Sequence, residues 1–238
     1  MTHPERIVPD ETEPGIVALH LKRYEFARPF CVGKDVLDAG CGVGYGTAYL
    51  AETARRVVGV DVDADAIEYA RTRYARDNVE FIAGDLAELA FADESFDAVC
   101  AFEVIEHLEA VDVFLAHAAR VLRGTGVFVV STPRADETSS HPENPFHRIE
   151  LSQKSFASML ERHFRSVELY GQLRVQTRRH RMLQRADVLR LRKRLPFLRR
   201  ASRLVSGTAS METVSAEEIA ISADLVDQAT ELVAVCRT

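Results

Sequence analysis

Glu103, Glu106 and His107 stand at i, i+3 and i+4 in the run SFDAVCAFEVIEHLEA, two carboxylates and an imidazole within five residues. If the segment begins a helix, that spacing puts all three on one face. Such a set suits a divalent cation, which takes oxygen and imidazole ligands. It equally suits acid–base work on a reluctant hydroxyl, with His107 as the base and Glu103 beside it. The plain alternative is a helix start, where acids are favourable against the dipole. FDAVCAF, just before the set, reads as a strand, so the three side chains emerge from a strand end.

Other acids and glycines stand at strand ends too. VLDAGCGVGYGT (36–47) runs from a strand into Gly40, Gly42, Gly44 and Gly46, and the strand itself carries Asp38. Glycines there let the backbone turn sharply and approach a ligand closely. No register of the loop gives the dinucleotide fingerprint GxGxxG, so the expected ligand is nucleotide-like but lacks a pyrophosphate. The next strand, RVVGVDV (56–62), ends at Asp61 and Val62, where a carboxylate can accept both hydroxyl protons of a ribose. The third, VEFIAG, is followed by Asp85, placed to accept from an adenine amine with Leu86 against the ring. Each acid alone is equally a helix N-cap; three in succession after strands one, two and three point to one ligand.

The elements that must position these residues alternate along the chain. Strands are expected at 35–40, 56–62, 79–84, 96–102 and 126–132, with helices at 46–54, 65–77 and 109–122. A helix over 151–164, with Ser152 as N-cap, leads to a sixth strand, RSVELYG, and ATELVAVCRT at the C-terminus is a seventh. This alternation predicts an α/β fold, a mostly parallel sheet with helices on both faces and right-handed crossovers. In such sheets ligands bind beyond the carboxyl ends of the strands. We expect one domain over 1–238, its core at about 13–171 and 229–238, with a basic helical insertion at about 172–228.

Composition bounds the rest. The 238 residues are 47% hydrophobic and 28% charged with a net charge of −6, as expected for a soluble globular chain, and no apolar run approaches the ~18 residues of a membrane span. The polar, acidic N-terminus argues against a secretory signal. Four scattered cysteines without a CxxC pair read as reduced thiols, hence a cytoplasmic location. Residues 174–203 hold twelve Arg or Lys against Asp187, which leaves +11 there and −17 elsewhere. That stretch suits a lid over an anionic substrate, a peripheral contact with anionic membrane, or a solvated helix on the acidic core. Apart from Phe197 it lacks interleaved aromatics, which disfavours nucleic acid.

Taken together, VLDAGCGVGYGT, VVGVDVD and VEFIAGDLAELAFADESFDAVCAFEVIEHL resemble the class I S-adenosylmethionine-dependent methyltransferases, over about Tyr24–Pro133 and more loosely to the C-terminus. The resemblance implies a Rossmann-like, seven-stranded sheet with an antiparallel last strand, and S-adenosyl-L-methionine as cofactor. It implies that Gly40, Gly42 and Gly44 pass under the methionine portion with Asp38 nearby, that Asp61 holds the ribose, and that Asp85 holds the adenine amine. Tyr24 in HLKRYEFA would close over the methionine end or simply pack its helix. The ubiquinone-pathway O-methyltransferases and the small-RNA 2′-O-methyltransferases carry a similar ExxEH, which implies Mg2+ held by Glu103, Glu106 and His107. His141 and His147 stand where the RNA group has a further histidine ligand, and His147 is the candidate here. Leu108 replaces the second histidine of that group's His-His doublet. NPFHRIELS also resembles bacterial methyltransferases of glycan pathways, with His147 and Arg148 near the acceptor. The expected reaction is methyl transfer to a hydroxyl of a small molecule, sugar or lipid-linked glycan. RNA 2′-O-methylation, or cofactor binding without catalysis, are the alternatives.

Overall fold

The computed structural model describes residues 6–174 and 218–238. Five strands alternate with helices as the sequence pattern requires: α1 (Pro14–Cys31), β1 (Asp35–Ala39), α2 (Tyr45–Leu50), β2 (Arg56–Asp61), α3 (Ala64–Tyr74), β3 (Val79–Ala83), β4 (Phe96–Phe102), α4 (Val111–Val121) and β5 (Leu122–Ala135). The two-residue β6 (Leu151–Ser152), α5 (Gln153–Glu161), β7 (Ser166–Arg174), β8 (Ile219–Ser222) and β9 (Glu231–Arg237) complete it. The sheet runs β3-β2-β1-β4-β5-β9-β7-β8, with β6 paired to β5 off this path. β1 to β5 are mutually parallel, and β9 lies antiparallel between β5 and β7.

Nine strands stand where seven were expected, and the two extra ones have clear physical causes. β8 pairs antiparallel with β7 from Gly171–Ser222 to Arg174–Ile219, covering an edge that would otherwise expose unpaired backbone groups. Sheet residues therefore extend from both sides into the stretch expected as the insertion, through Arg174 and from Ile219. The basic residues 175–203 lie outside the described residues. β6 is the second addition, a short parallel pairing of Leu151 and Ser152 with Arg134 and Ala135.

Alternation of apolar residues builds two core layers. Leu37, Val99 and Phe128 face one side with Phe114 of α4 and Phe156 of α5. Val36, Ala98 and Val129 face the other with Tyr24, Ala27 and Cys31 of α1 and Leu50 of α2. Full burial of each large side chain is worth about 1.5–3 kcal/mol, so the strands are fixed on both faces and only their carboxyl ends stay open. Ser152 caps α5, its hydroxyl accepting from the Ser155 N–H at 3.3 Å. Among the described residues no helix is long and apolar enough to cross a membrane.

Candidate active site

A cavity of about 930 Å³ opens at the carboxyl ends of β1, β2, β4 and β5. One end is built by the glycine loop and the tips of the first three strands. Gly40 has φ +75°, and a Cβ there would lie 2.3 Å from Val104 Cγ2; the glycine lets the loop pack directly on the segment after β4. Gly42 has φ +54° with nothing within 4 Å of its missing Cβ, so the backbone presents a bare face to the cavity. Its N–H donates to Asp61 Oδ2 at 2.8 Å, and the Gly40 and Cys41 amides bond the Val60 carbonyl. Loop and second strand are thereby locked together.

Asp61, Val62, Asp85, Leu86, Gly40, Gly42 and Tyr24 all line this cavity. Asp61 accepts from the Gly42 and Asp63 amides, and Asp85 accepts from the Ala87 amide at 2.8 Å, starting a 3-10 turn over Leu86–Glu88. Gly44, with φ +86°, is the N-cap of α2, and a Cβ there would meet Phe81 and Ala70. Asp38 differs from its neighbours. It is fully buried beneath the loop, accepting from Thr47 Oγ1 at 2.6 Å and Tyr24 OH at 3.2 Å. Burial outweighs those two bonds and, with the charge of Asp61, pushes its carboxyl up to about 7. Tyr24 is 5% exposed, edge-on to Phe102 with ring centroids 4.8 Å apart. The ring packs in the core beside α1, and Tyr24 also lines the cavity.

The other end holds Glu103, Glu106, His107 and His147, but not as one helical face. Glu103 sits at φ +55°, and only Ile105–His107 form a single 3-10 turn. The left-handed residue swings Glu103 away from its two partners. Its carboxylate accepts from Ser131 Oγ at 2.7 Å and pairs with Arg23 Nη2 at 3.5 Å. Glu106 turns inward, 1% exposed, with Oε2 accepting from Thr132 Oγ1 at 3.2 Å and Oε1 without a hydrogen-bond partner among the described residues. Burial, then the charge of Glu103, raises its carboxyl well above the usual range. The potential ligand atoms of Glu106, His107 and His147 lie within 4.8 Å of one another; Glu103 is not of this group.

The loop after β5 brings His147 in. The Arg148 and Ile149 amides donate to the Glu106 carbonyl, and the His107 and His147 rings meet edge-on at 5.0 Å. His107 Nδ1 lies 3.0 Å from the Phe146 carbonyl. A carbonyl only accepts, so Nδ1 is assigned the proton and Nε2 the lone pair. Asn144 Oδ1 accepts from the Phe146 amide, so its NH2 faces His147 Nε2 at 3.0 Å and takes that lone pair. His147 Nδ1 lies 3.5 Å from Glu150 Oε1 without a hydrogen bond to it. Glu106 and His107 fit a divalent cation; His147 does so only if Asn144 gives way. His141, the other histidine of this loop, has its Nδ1 3.1 Å from Ser140 Oγ and does not join the group.

Sequence reasoning missed Arg23, His20, Arg6 and Asn144. Arg23 is 2% exposed, with Nε and Nη1 buried and unpartnered among the described residues, and it lowers the His20 imidazole, whose burial acts first. Its signal was present: Arg23 and Tyr24 precede Ala27 and Cys31 at helical spacing, a charge on the face that α1 buries.

The strand order and a pocket at the strand ends define an α/β protein of the Rossmann-like type. Residues 37–130 match the family described as "Methyltransferase domain". A probable S-adenosylmethionine-dependent methyltransferase of Mycobacterium tuberculosis is 43% identical over 160 residues, covering 66% of this chain and 58% of its own. A fatty-acid O-methyltransferase of Mycolicibacterium smegmatis is 42% identical over 104 residues, 43% of this chain and 38% of its own. A solved S-adenosylmethionine-dependent methyltransferase of Thermotoga maritima, titled a possible histamine N-methyltransferase, shares the fold over 96% of this chain and 95% of its own, with TM-score 0.63 and 15% identity. Over these stretches the chain resembles the class I S-adenosylmethionine-dependent methyltransferases. It spans about 58–62% of the length of the first curated relatives it matches.

Proposed function

We propose that this chain transfers the methyl group of S-adenosylmethionine to a hydroxyl of a small molecule, sugar or lipid-linked glycan. The observation that carries the reading is one cavity with two chemistries: Gly42, Asp61 and Asp85 at one end, Glu106 and His107 at the other. The bare backbone face at Gly42 and the ionisable groups at the first end fit the cofactor. When bound, the cofactor supplies a sulfonium-linked methyl carbon whose sulfur leaves with the bonding electron pair. His107, with Nδ1 tied to the Phe146 carbonyl, offers Nε2 to take the acceptor's proton as its oxygen attacks. Phe114, Leu108 and Pro133 flank that end of the cavity, and in-line positioning contributes much of the rest.

A divalent ion such as Mg2+ on Glu106 and His107 would instead lower the hydroxyl pKa. The Asn144 bond to His147 Nε2 favours the metal-free base. Full methyl transfer in EDTA is the expected result, and loss restored by Mg2+ would reverse the choice. The relative named as a fatty-acid O-methyltransferase and the basic residues 174–203 support a lipid-linked acceptor and contact with anionic membrane; flotation with anionic but not neutral vesicles tests the latter. The deciding experiment is a transfer screen with methyl-labelled cofactor against sugars, lipid-linked glycans, fatty acids, phenols and RNA. Labelling of hydroxyl acceptors supports the reading, and labelling of RNA alone overturns it.

A further inference from the structure

The chain segment before α1 reaches into the cofactor end of the cavity. Arg6 and Ile7 line it beside Gly42, Asp61 and Val62. Val8 is buried with Val43 and Ala66, the first inside the glycine loop and the second in α3. The segment closes on itself there: the Glu11 and Thr12 amides donate to the Val8 carbonyl, and the Val8 amide donates to Thr12 Oγ1 at 3.1 Å. Its anchor is thus the ligand-binding loop itself.

Arg6 fastens the free side. Its guanidinium is hydrogen-bonded to the Asp63 carboxylate, and Nη2 lies 3.6 Å from Asp61 Oδ1. The Arg6 side chain is 11% exposed, and its charge holds the Asp63 carboxyl below the usual range. Asp61 spends one lone pair of each oxygen on the Gly42 and Asp63 amides. A carboxylate has about four acceptor sites, so two remain for a vicinal diol while Arg6 flanks them. A ligand diol on Asp61 would lie beneath Arg6 and Ile7.

We propose that residues 6–8 form a latch over the ribose end of the cofactor, fastened by Arg6 to Asp61 and Asp63, and that this latch sets how fast the cofactor leaves. The inference rests on the reading that Asp61 faces the ribose. The strap must lift for exchange, and the ion pair is what lifting breaks.

The test is the dissociation rate of S-adenosylhomocysteine from the whole protein by stopped-flow displacement, with hydrogen exchange of residues 6–12. Arg6→Gln should speed dissociation by about three- to tenfold, the scale of a partly buried ion pair. Asp63→Asn keeps the N-cap of α3, since Asn caps as well as Asp, and should accelerate release less than Arg6→Gln, because Arg6 keeps Asp61. The double variant should release no faster than Arg6→Gln alone, which already removes both contacts. Wild-type dissociation should quicken with salt and that of Arg6→Gln should not. Bound S-adenosylhomocysteine should slow exchange at 6–12. Asp61→Ala separates the two levels. If it binds the ligand as wild type does, the ribose reading fails; if it loses binding while Arg6→Gln and Asp63→Asn release ligand at the wild-type rate, the latch fails.

Discussion

The two ends of the cavity handle negative charge in opposite ways. At the cofactor end Asp61 and Asp85 are met by backbone amides, Gly42 and Asp63 for one and Ala87 for the other. Those donors are fixed by the turns that follow each strand, so the carboxylates are preorganised before any ligand arrives. At the acceptor end Glu106 is buried with one hydroxyl for company, and one oxygen is unmet among the described residues. Glu103 beside it depends on an arginine eighty residues away in sequence. An acid satisfied by its own turn is suited to binding. An acid stripped of donors is held in a costly state that a proton, a cation or a substrate group relieves, which suits chemistry.

Asp38 breaks that division and so tests it most severely. It belongs to the cofactor end by position, yet its partners are two hydroxyls and its burial is complete. Its carboxyl rises from 3.8 to about 7, which at about 1.4 kcal/mol per pH unit puts the cost of the buried charge on the order of 4 kcal/mol. The folded chain holds this proton more tightly than the unfolded one. The resulting stabilisation is therefore complete below pH 3.8 and is lost as pH rises through about 7. Asp38→Asn removes that slope. In urea melts of the free protein, the variant should gain on wild type steadily between pH 4 and 7 and be the more stable at pH 8. A constant difference across that range would show that Asp38 is met by donors as Asp61 is.

Asp61→Ala comes next. Losing a charge-assisted acceptor for two ligand hydroxyls, together with its hold on the Gly42 amide, should cost about 3 kcal/mol, or roughly a hundredfold in cofactor affinity by calorimetry. Glu106→Gln should do the reverse in kind. It removes a carboxylate that burial disfavours, so the melting temperature should rise, cofactor affinity should hold, and methyl transfer should fall by about a hundredfold. A fall in cofactor affinity equal to the fall in rate would erase the distinction between the two ends.

The same contrast governs what the sequence disclosed. The position of Asp61, Asp85 and the glycine loop at strand ends lining one cavity was legible because each directly follows its own strand. The α/β alternation was legible for the same reason, since each strand carries its own apolar run. The acceptor end was not. A helical spacing for Glu103, Glu106 and His107 was a sound reading of i, i+3 and i+4, but Ser131 of β5 and Arg23 of α1 bind Glu103, and Glu103 adopts φ +55°. Nothing near Glu103 in the chain announces either partner. β8 escaped likewise, because its pairing with β7 depends on an edge that exists only once β9 has inserted.

The mildest test separates position from chemistry at the acceptor end. Ser152 ties three things together: it ends β6 against Ala135 of β5, its amide donates to Thr138 Oγ1 at 3.0 Å, and its hydroxyl caps α5. The loop between Ala135 and Ser152 carries Asn144 and His147, so the cap fastens the far end of that loop. Ser152→Ala should lower stability by about 1 kcal/mol, the usual value of a lost N-cap, and Ser152→Asp should restore most of it. Cofactor affinity should not move in either variant, because the hydrogen bonds that hold Asp61 and Asp85 come from the Gly42, Asp63 and Ala87 amides. If the acceptor end works by holding His107 against the Phe146 carbonyl, the Ala variant should raise the acceptor KM more than it lowers kcat, and the Asp variant should bring KM back. An unchanged KM in the Ala variant would mean that the backbone bonds from Arg148 and Ile149 to Glu106 hold the loop by themselves.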